Sequence, residues 1–157
     1  MKTFQVASLI LLLIYATKSI RWPLHTVCKN DRLELYYRSC DPVQDFALSF
    51  DSCAGIEAGH VNIRLATILR HSISELSVDI SLDINGNSVV VYSKQICEPN
   101  HPRFTFCGKR KGELIYYEGP VSLGLHDIPQ GDLGAKVEFF NENHRTIICA
   151  NLTIKHH

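Results

Sequence analysis

Leu76-Ser77-Val78-Asp79-Ile80-Ser81-Leu82-Asp83-Ile84 alternates apolar and polar side chains without a break, five of one kind between four of the other. Successive side chains on a strand point to opposite faces. That spelling therefore puts the five apolar residues on one face and Ser77, Asp79, Ser81 and Asp83 on the other. On a helix the same residues would scatter around the circumference. Asn85-Gly86 follows directly and suits the positive φ of a two-residue hairpin turn, after which the chain returns through Val89 and Val91. A half-buried strand with its hairpin sets the fold class.

The same period runs through Leu33, Leu35 and Tyr37, through Phe46, Leu48 and Phe50, and through Val61, Ile63 and Leu65. Further strands are expected over residues 104–106, 114–117, 133–139 and 146–154, with Pro120, Pro129 and Gly131 punctuating the gaps. Residues 54–59 read as a loop or a helical turn. Roughly seven to nine short strands joined by turns predict an all-β, immunoglobulin-like sandwich of two antiparallel sheets. There is no repeat, low-complexity tract or linker, and 157 residues suit one domain.

The N-terminus reads as a secretory signal peptide over residues 1–19, leaving a single domain over residues 20–157. Lys2 supplies the charge, residues 6–15 form an apolar run broken only by Ser8, and Ala16, Thr17 and Ser19 are small enough for cleavage. The run is shorter than the ~20 residues a membrane span needs, and no second one follows, so no membrane insertion is expected. Removing Lys2 and Lys18 from the 16 basic residues leaves 14 against 16 acidic ones, a net charge of −2. Phosphate neutralisation needs a basic excess, so a nucleic-acid partner is not expected.

All six cysteines, Cys28, Cys40, Cys53, Cys97, Cys107 and Cys149, lie beyond the leader. An even count in an exported chain implies disulfides. Zinc fails on spacing, because there is no C-x-x-C pair and no matching histidine couple. The count alone leaves on the order of 15 connectivities open. Cys97 and Cys107 flank a short segment with Pro99 and Pro102 and are the easiest pair to close locally, whereas Cys149 must reach back to an early partner. A bridge closing a loop of roughly 100 residues is worth up to about 4–5 kcal/mol in the chain-entropy model.

Catalytic constellations are absent: no G-x-S-x-G elbow, no H-E-x-x-H, no glycine-rich phosphate loop. The eight histidines are scattered beside turn residues or at the frayed end, and Asp79 and Asp83 share a face expected to meet solvent. No catalytic residue and no metal site is assigned, and an enzyme is not expected. Two polar features carry more. Asn151-Leu152-Thr153 is an N-glycosylation sequon whose Asn151 alternates with an inward Leu152. Lys109-Arg110-Lys111 follows Cys107-Gly108, a disulfide-pinned loop whose cations suit anionic headgroups or an acidic partner surface.

Longer stretches resemble a known family. Trp22-Pro23, Val27-Cys28, Ser39-Cys40-Asp41-Pro42 and Gln44-Asp45-Phe46 carry the likeness, followed by Phe106-Cys107-Gly108-Lys109-Arg110-Lys111-Gly112-Glu113. Ile115-Tyr116-Tyr117, Gly119-Pro120-Val121, Ile128-Pro129-Gln130-Gly131 and Cys149-Ala150-Asn151 complete it. The chain resembles the MD-2-related lipid-recognition family over essentially its whole length beyond the leader. The resemblance implies a β-cup with a lipid-filled cavity between the sheets, and bonds pairing Cys28 with Cys53, Cys40 with Cys149, and Cys97 with Cys107. It implies as partner the radioprotective leucine-rich-repeat receptor, a Toll-like receptor relative, in a complex that tunes the response to bacterial lipopolysaccharide. Such a subunit is secreted and held at the cell surface through its receptor. A soluble lipid or sterol carrier acting without a receptor is the alternative.

Carried through the strand register, the resemblance assigns cavity lining to Val78, Ile80, Leu82 and Ile84, and to Leu48, Phe50, Val61, Ile63 and Leu65 on the preceding strands. Val121, Val137, Phe139, Ile148, Leu152 and Ile154 complete the set. Period two alone fits ordinary core equally well. No cofactor is expected beyond a bound lipid, since burying an acyl chain gains about 0.8 kcal/mol per CH₂. The family's endotoxin co-receptor rings its cavity mouth with phosphate-gripping cations. Here the matching stretches, Val89-Val90-Val91-Tyr92-Ser93 and Leu123-Gly124-Leu125-His126-Asp127, are nearly free of them. That rim suits a phospholipid or a less phosphorylated lipid A-like molecule.

Overall fold

The computed structural model describes residues 21–122 and 128–157. The expected leader and the rim stretch 123–127 lie outside the described residues. In chain order the described elements are β1 (His25–Lys29), β2 (Leu33–Ser39), β3 (Ala47–Phe50), the helical turn α1 (Ala54–Glu57) and β4 (His60–Ile68). After these come β5 (Leu76–Ile84), β6 (Asn87–Cys97), β7 (Leu114–Ser122), β8 (Gly131–Asn141) and β9 (Thr146–His156). Two antiparallel sheets result, one ordered β1-β2-β9-β8-β5-β6 and the other β3-β4-β7. No described helix is long and apolar enough to cross a membrane.

The Asn85-Gly86 turn forms as expected, both residues at positive φ (51° and 80°), and sets β6 against β5 with Ile84 opposite Asn87 and Leu82 opposite Val89. A bulge then intervenes, so Ile80 faces Tyr92 where unbroken alternation would place Val91. On the other side of β5, Val78, Ile80 and Leu82 oppose Phe139, Val137 and Ala135 of β8. These continue across β9 to Ile148, Ala150 and Leu152. The inner face of the large sheet is thus one continuous apolar lattice. The small sheet answers with Leu48, Leu65 and Tyr117 in one row and Phe50, Ile63 and Gly119 in the next.

The two sheets meet along the seam where β1 packs on β3. Tyr37 spans that seam: its hydroxyl donates to the Phe46 carbonyl (2.7 Å) and accepts from the Leu48 amide (3.1 Å). Burial pushes the Tyr37 phenol up, so it stays a neutral donor at physiological pH. The bonds join Cys28 to Cys53, Cys40 to Cys149 across 109 residues, and Cys97 to Cys107, the pairs that the resemblance implies.

Three expectations need correcting. Residues 104–106 form turns, with the Cys107 and Lys109 amides bonded back to the Phe104 and Phe106 carbonyls. Pro99, Pro102 and the short Cys97–Cys107 loop bend this segment too sharply for a strand. Its rings stack on each other (centroids 5.1 Å apart) and meet Tyr117 edge-on. Pro120 does not interrupt a strand but lies within β7, opposite Asn62. An edge strand tolerates it, because the missing N–H would face outward. Gly131 likewise opens β8, at positive φ, opposite His156.

Candidate functional site

Two sealed clusters frame the space between the sheets. One gathers Val27, Leu33, Leu35, Tyr37, Ile56, Ala150 and Ile154 beside the Cys28–Cys53 bond, behind the β1–β3 seam. The other gathers Leu69, Ile73, Leu76, Phe106, Ile115, Ile147 and Ile148 beside Cys97, where β5 begins and β6 ends. Leu33, Ile73 and Cys97 are fully excluded from solvent, at 0% exposure.

Between and beyond these clusters the inner face is different. Ile63, Ile80, Leu82, Val121 and Val137 belong to neither cluster and are only half-buried, although they lie on inner rows. Burial along β5 grades from sealed Leu76 and Val78, through half-buried Ile80 and Leu82, to Ile84 at 48% exposure. In a filled sandwich the middle of a central strand would be its driest part. Small residues widen the strip: Ala135 and Ala150 sit on its inner rows, and at Gly119 a Cβ would come within 3.0 Å of the Tyr117 hydroxyl. The geometry leaves a greasy, incompletely covered strip on β5, β8, β4 and β7.

The residues assigned to lining fall into three groups, with Ile84 apart from them. Ile63, Ile80, Leu82, Val121 and Val137 form the strip. Leu48, Phe50 and Leu152 border the first cluster, and Leu65 and Phe139 the second. Val61, Val78, Ile148 and Ile154 are buried, the last two as cluster members, and Ile84 stands at the hairpin tip. Sequence reasoning missed Tyr117 and Leu133, both on inner rows, and gave Val89 and Tyr92 only as part of the rim stretch, where the register puts both on the inner face. The turn register alone could have found Val89; the bulge hid Tyr92.

Among the described residues, the carboxylates of β5 keep off the strip. Asp79 lies on the opposite face, accepting from the Ser93 hydroxyl (2.6 Å), and Asp83 is exposed. On the same outer face a hydrogen bond from Lys136, helped by Thr146, holds the Glu138 carboxyl below its usual range against the opposing effect of burial. Asn151 is exposed there between Arg38 and Lys136. Among the described residues no cluster of His, Cys, Asp or Glu is set to hold a metal.

The cationic loop departs from the expectation in one member. Lys109 is half-buried and its ammonium donates to the Leu114 carbonyl (2.9 Å), while Arg110 and Lys111 are exposed. Backbone bonds fix the loop to the strand-end segment beside it: Gly108 to the Ile73 carbonyl, Gly112 to that of Leu69, and the Ile73 amide to that of Lys109. Among the described residues, neither the Arg110 nor the Lys111 side chain enters an ion pair.

No family model matches the chain. It is 46% identical over 157 residues to lymphocyte antigen 86 of Gallus gallus, spanning 100% of this chain and 98% of that protein. The Mus musculus protein of that name is 48% identical over 133 residues, 85% of this chain and 82% of its own. Among solved structures, chicken MD-1 complexed with lipid IVa superposes with a TM-score of 0.80 at 48% identity, covering 87% of this chain and 99% of that one.

Proposed function

The chain belongs to the lymphocyte antigen 86, or MD-1, family, and from that membership we propose that it is a secreted lipid-binding accessory subunit. Its partner is the radioprotective leucine-rich-repeat receptor, and the pair tunes the response to bacterial lipopolysaccharide. The strip of Ile63, Ile80, Leu82, Val121 and Val137 takes the acyl chains of a phospholipid or lipid A-like molecule. The observation that carries this reading is the half-buried strip itself, apolar yet left unsealed between two closed clusters. An uncovered apolar strip is unfavourable in water. A tail of about a dozen carbons laid on it gains roughly 10 kcal/mol before ordering costs.

Arg110 and Lys111 face outward on a rigid loop and serve recognition of the receptor or of an anionic headgroup, with Lys109 bracing them from below. Asn151 carries a glycan on the outer face of the large sheet, away from the strip. Mass spectrometry of solvent extracts from the secreted protein tests the lipid reading, with co-precipitation of the receptor alongside. Stoichiometric lipid together with receptor capture is expected. A lipid-free chain would overturn the first half; a loaded chain that ignores the receptor would point to a free carrier.

A further inference from the structure

The outer end of the β5–β6 hairpin carries the densest exposed apolar surface among the described strands. Ile84, Val89, Val90 and Val91 are each about half exposed (47–56%) and Tyr92 follows at 36%. These residues do not share one face. Val89 opposes Leu82 on the inner side, Val90 opposes Ser81 on the outer side, and Val91 is the extra residue of the bulge. No charged residue occurs from Ile84 to Ser93; the exposed Asp83 precedes the stretch on the outer face and Lys94 follows it.

We propose that this hairpin tip is a membrane-contacting lip that settles into the headgroup layer of an uncharged, zwitterionic phospholipid bilayer. The inference deepens the reading above and rests on it, because it names where the bound lipid enters. Val90 shares the outer face with Ser81, Ser88 and the exposed Asp83, so the apolar surface of the ribbon is its inner face and its tip. That surface runs on into the half-buried strip, which a bilayer can supply with an acyl chain and a protein partner cannot. The free edge of β6 is bulged twice, and bulges twist an edge away from pairing with another strand. That argues against a second copy adding itself to the sheet. The unpaired backbone groups of the same edge forbid deep burial in hydrocarbon, where they would find no partner. The lip therefore rests at interfacial depth, where water and ester oxygens satisfy them.

Tyr92, apolar in body and polar at its tip, suits that depth, and Lys94 behind it can reach phosphate. From the lip the apolar surface is unbroken, Val89 beside Leu82 and Tyr92 beside Ile80, so an acyl chain slides from bilayer to strip without crossing a polar step.

Flotation of the intact secreted protein with pure phosphatidylcholine vesicles tests the lip, with bound lipid measured by mass spectrometry on the same preparations. The wild type should keep most of its flotation at high salt, since the apolar lip holds it and the single Lys94–phosphate contact adds little. The double variant Val90→Thr/Val91→Thr keeps the β-branched shape. It should keep its melting temperature while its vesicle-bound fraction falls about tenfold or more. Failure of the wild type to float, a requirement for anionic lipid lost in high salt, or a variant that floats like wild type would each overturn the lip. So would a wild-type dimer, seen without vesicles, that the variant dissolves. A protein that floats yet never carries lipid would sink the lipid-binding reading and spare the lip; one that carries lipid without floating would do the reverse.

Discussion

The seam half and the hairpin half of this molecule are built from the same alternating strands but spend their apolar residues differently. Around β1, β2 and β9, the side chains close on one another, with Leu33 fully buried and Tyr37 bonded across to β3. Around β5 and β6, the same alternation continues but burial falls from Leu76 to Ile84 along a single strand. One half holds the fold, and the other leaves apolar side chains half exposed, which we propose a lipid covers. Period two prescribes which way a residue points, and the spacing of the sheets decides what it meets.

Substitutions should separate the halves, the largest losses of stability coming from the closed one. Removing the Cys40–Cys149 bond, which spans 109 residues, should cost up to about 4–5 kcal/mol by urea denaturation. Removing Cys97–Cys107, which spans 10, should cost about 3 kcal/mol or less. Truncating a sealed residue comes next: Leu33→Ala or Ile73→Ala should cost about 2–5 kcal/mol, because each leaves a cavity. Leu82→Ala, on the strip, should cost under about 1.5 kcal/mol yet weaken lipid retention. Equal losses at Leu33 and Leu82 would erase the distinction between halves.

Acid should act more gently, through the outer face. At Glu142 burial is the largest single influence and raises the carboxyl, but bonds from its own backbone, Ser74 and Glu75 together hold it below its usual 4.5. Glu138 is also depressed. A carboxyl depressed on folding contributes stability that is present above its unfolded pKa and lost as pH falls through the folded one. Melting temperature should therefore decline below about pH 4.5, and Glu138→Gln with Glu142→Gln should flatten that decline. The smallest effect belongs to the loop. Arg110→Ser/Lys111→Ser should leave the melting temperature unchanged while weakening receptor capture, whereas Lys109→Ser should cost about 0.5–1.5 kcal/mol by freeing the Leu114 carbonyl.

Much of this architecture was legible in the residues. The β5 stretch and its Asn85-Gly86 turn specified a hairpin, and both sheets followed from the same period. β1 was missed because only Val27 of His25–Lys29 is buried, so an edge strand leaves almost no alternation. The turns at residues 104–106 were misread because two phenylalanines at period two look like a strand until a short disulfide loop stacks them. The site was legible only as direction. Alternation placed Ile80 and Leu82 inward, but whether they meet protein or ligand depends on the gap between sheets, which no local pattern encodes. The bulge that brings Tyr92 rather than Val91 beside Ile80 is likewise silent in hydrophobicity.

Methyl resonances of the purified protein, recorded before and after its lipid is stripped, test the division of the molecule most directly. The account predicts large shifts at Ile63, Ile80, Leu82, Val121 and Val137, with Leu33, Ile73 and Leu76 nearly unmoved. Shifts spread evenly over both sets, or confined to the sealed clusters, would contradict it.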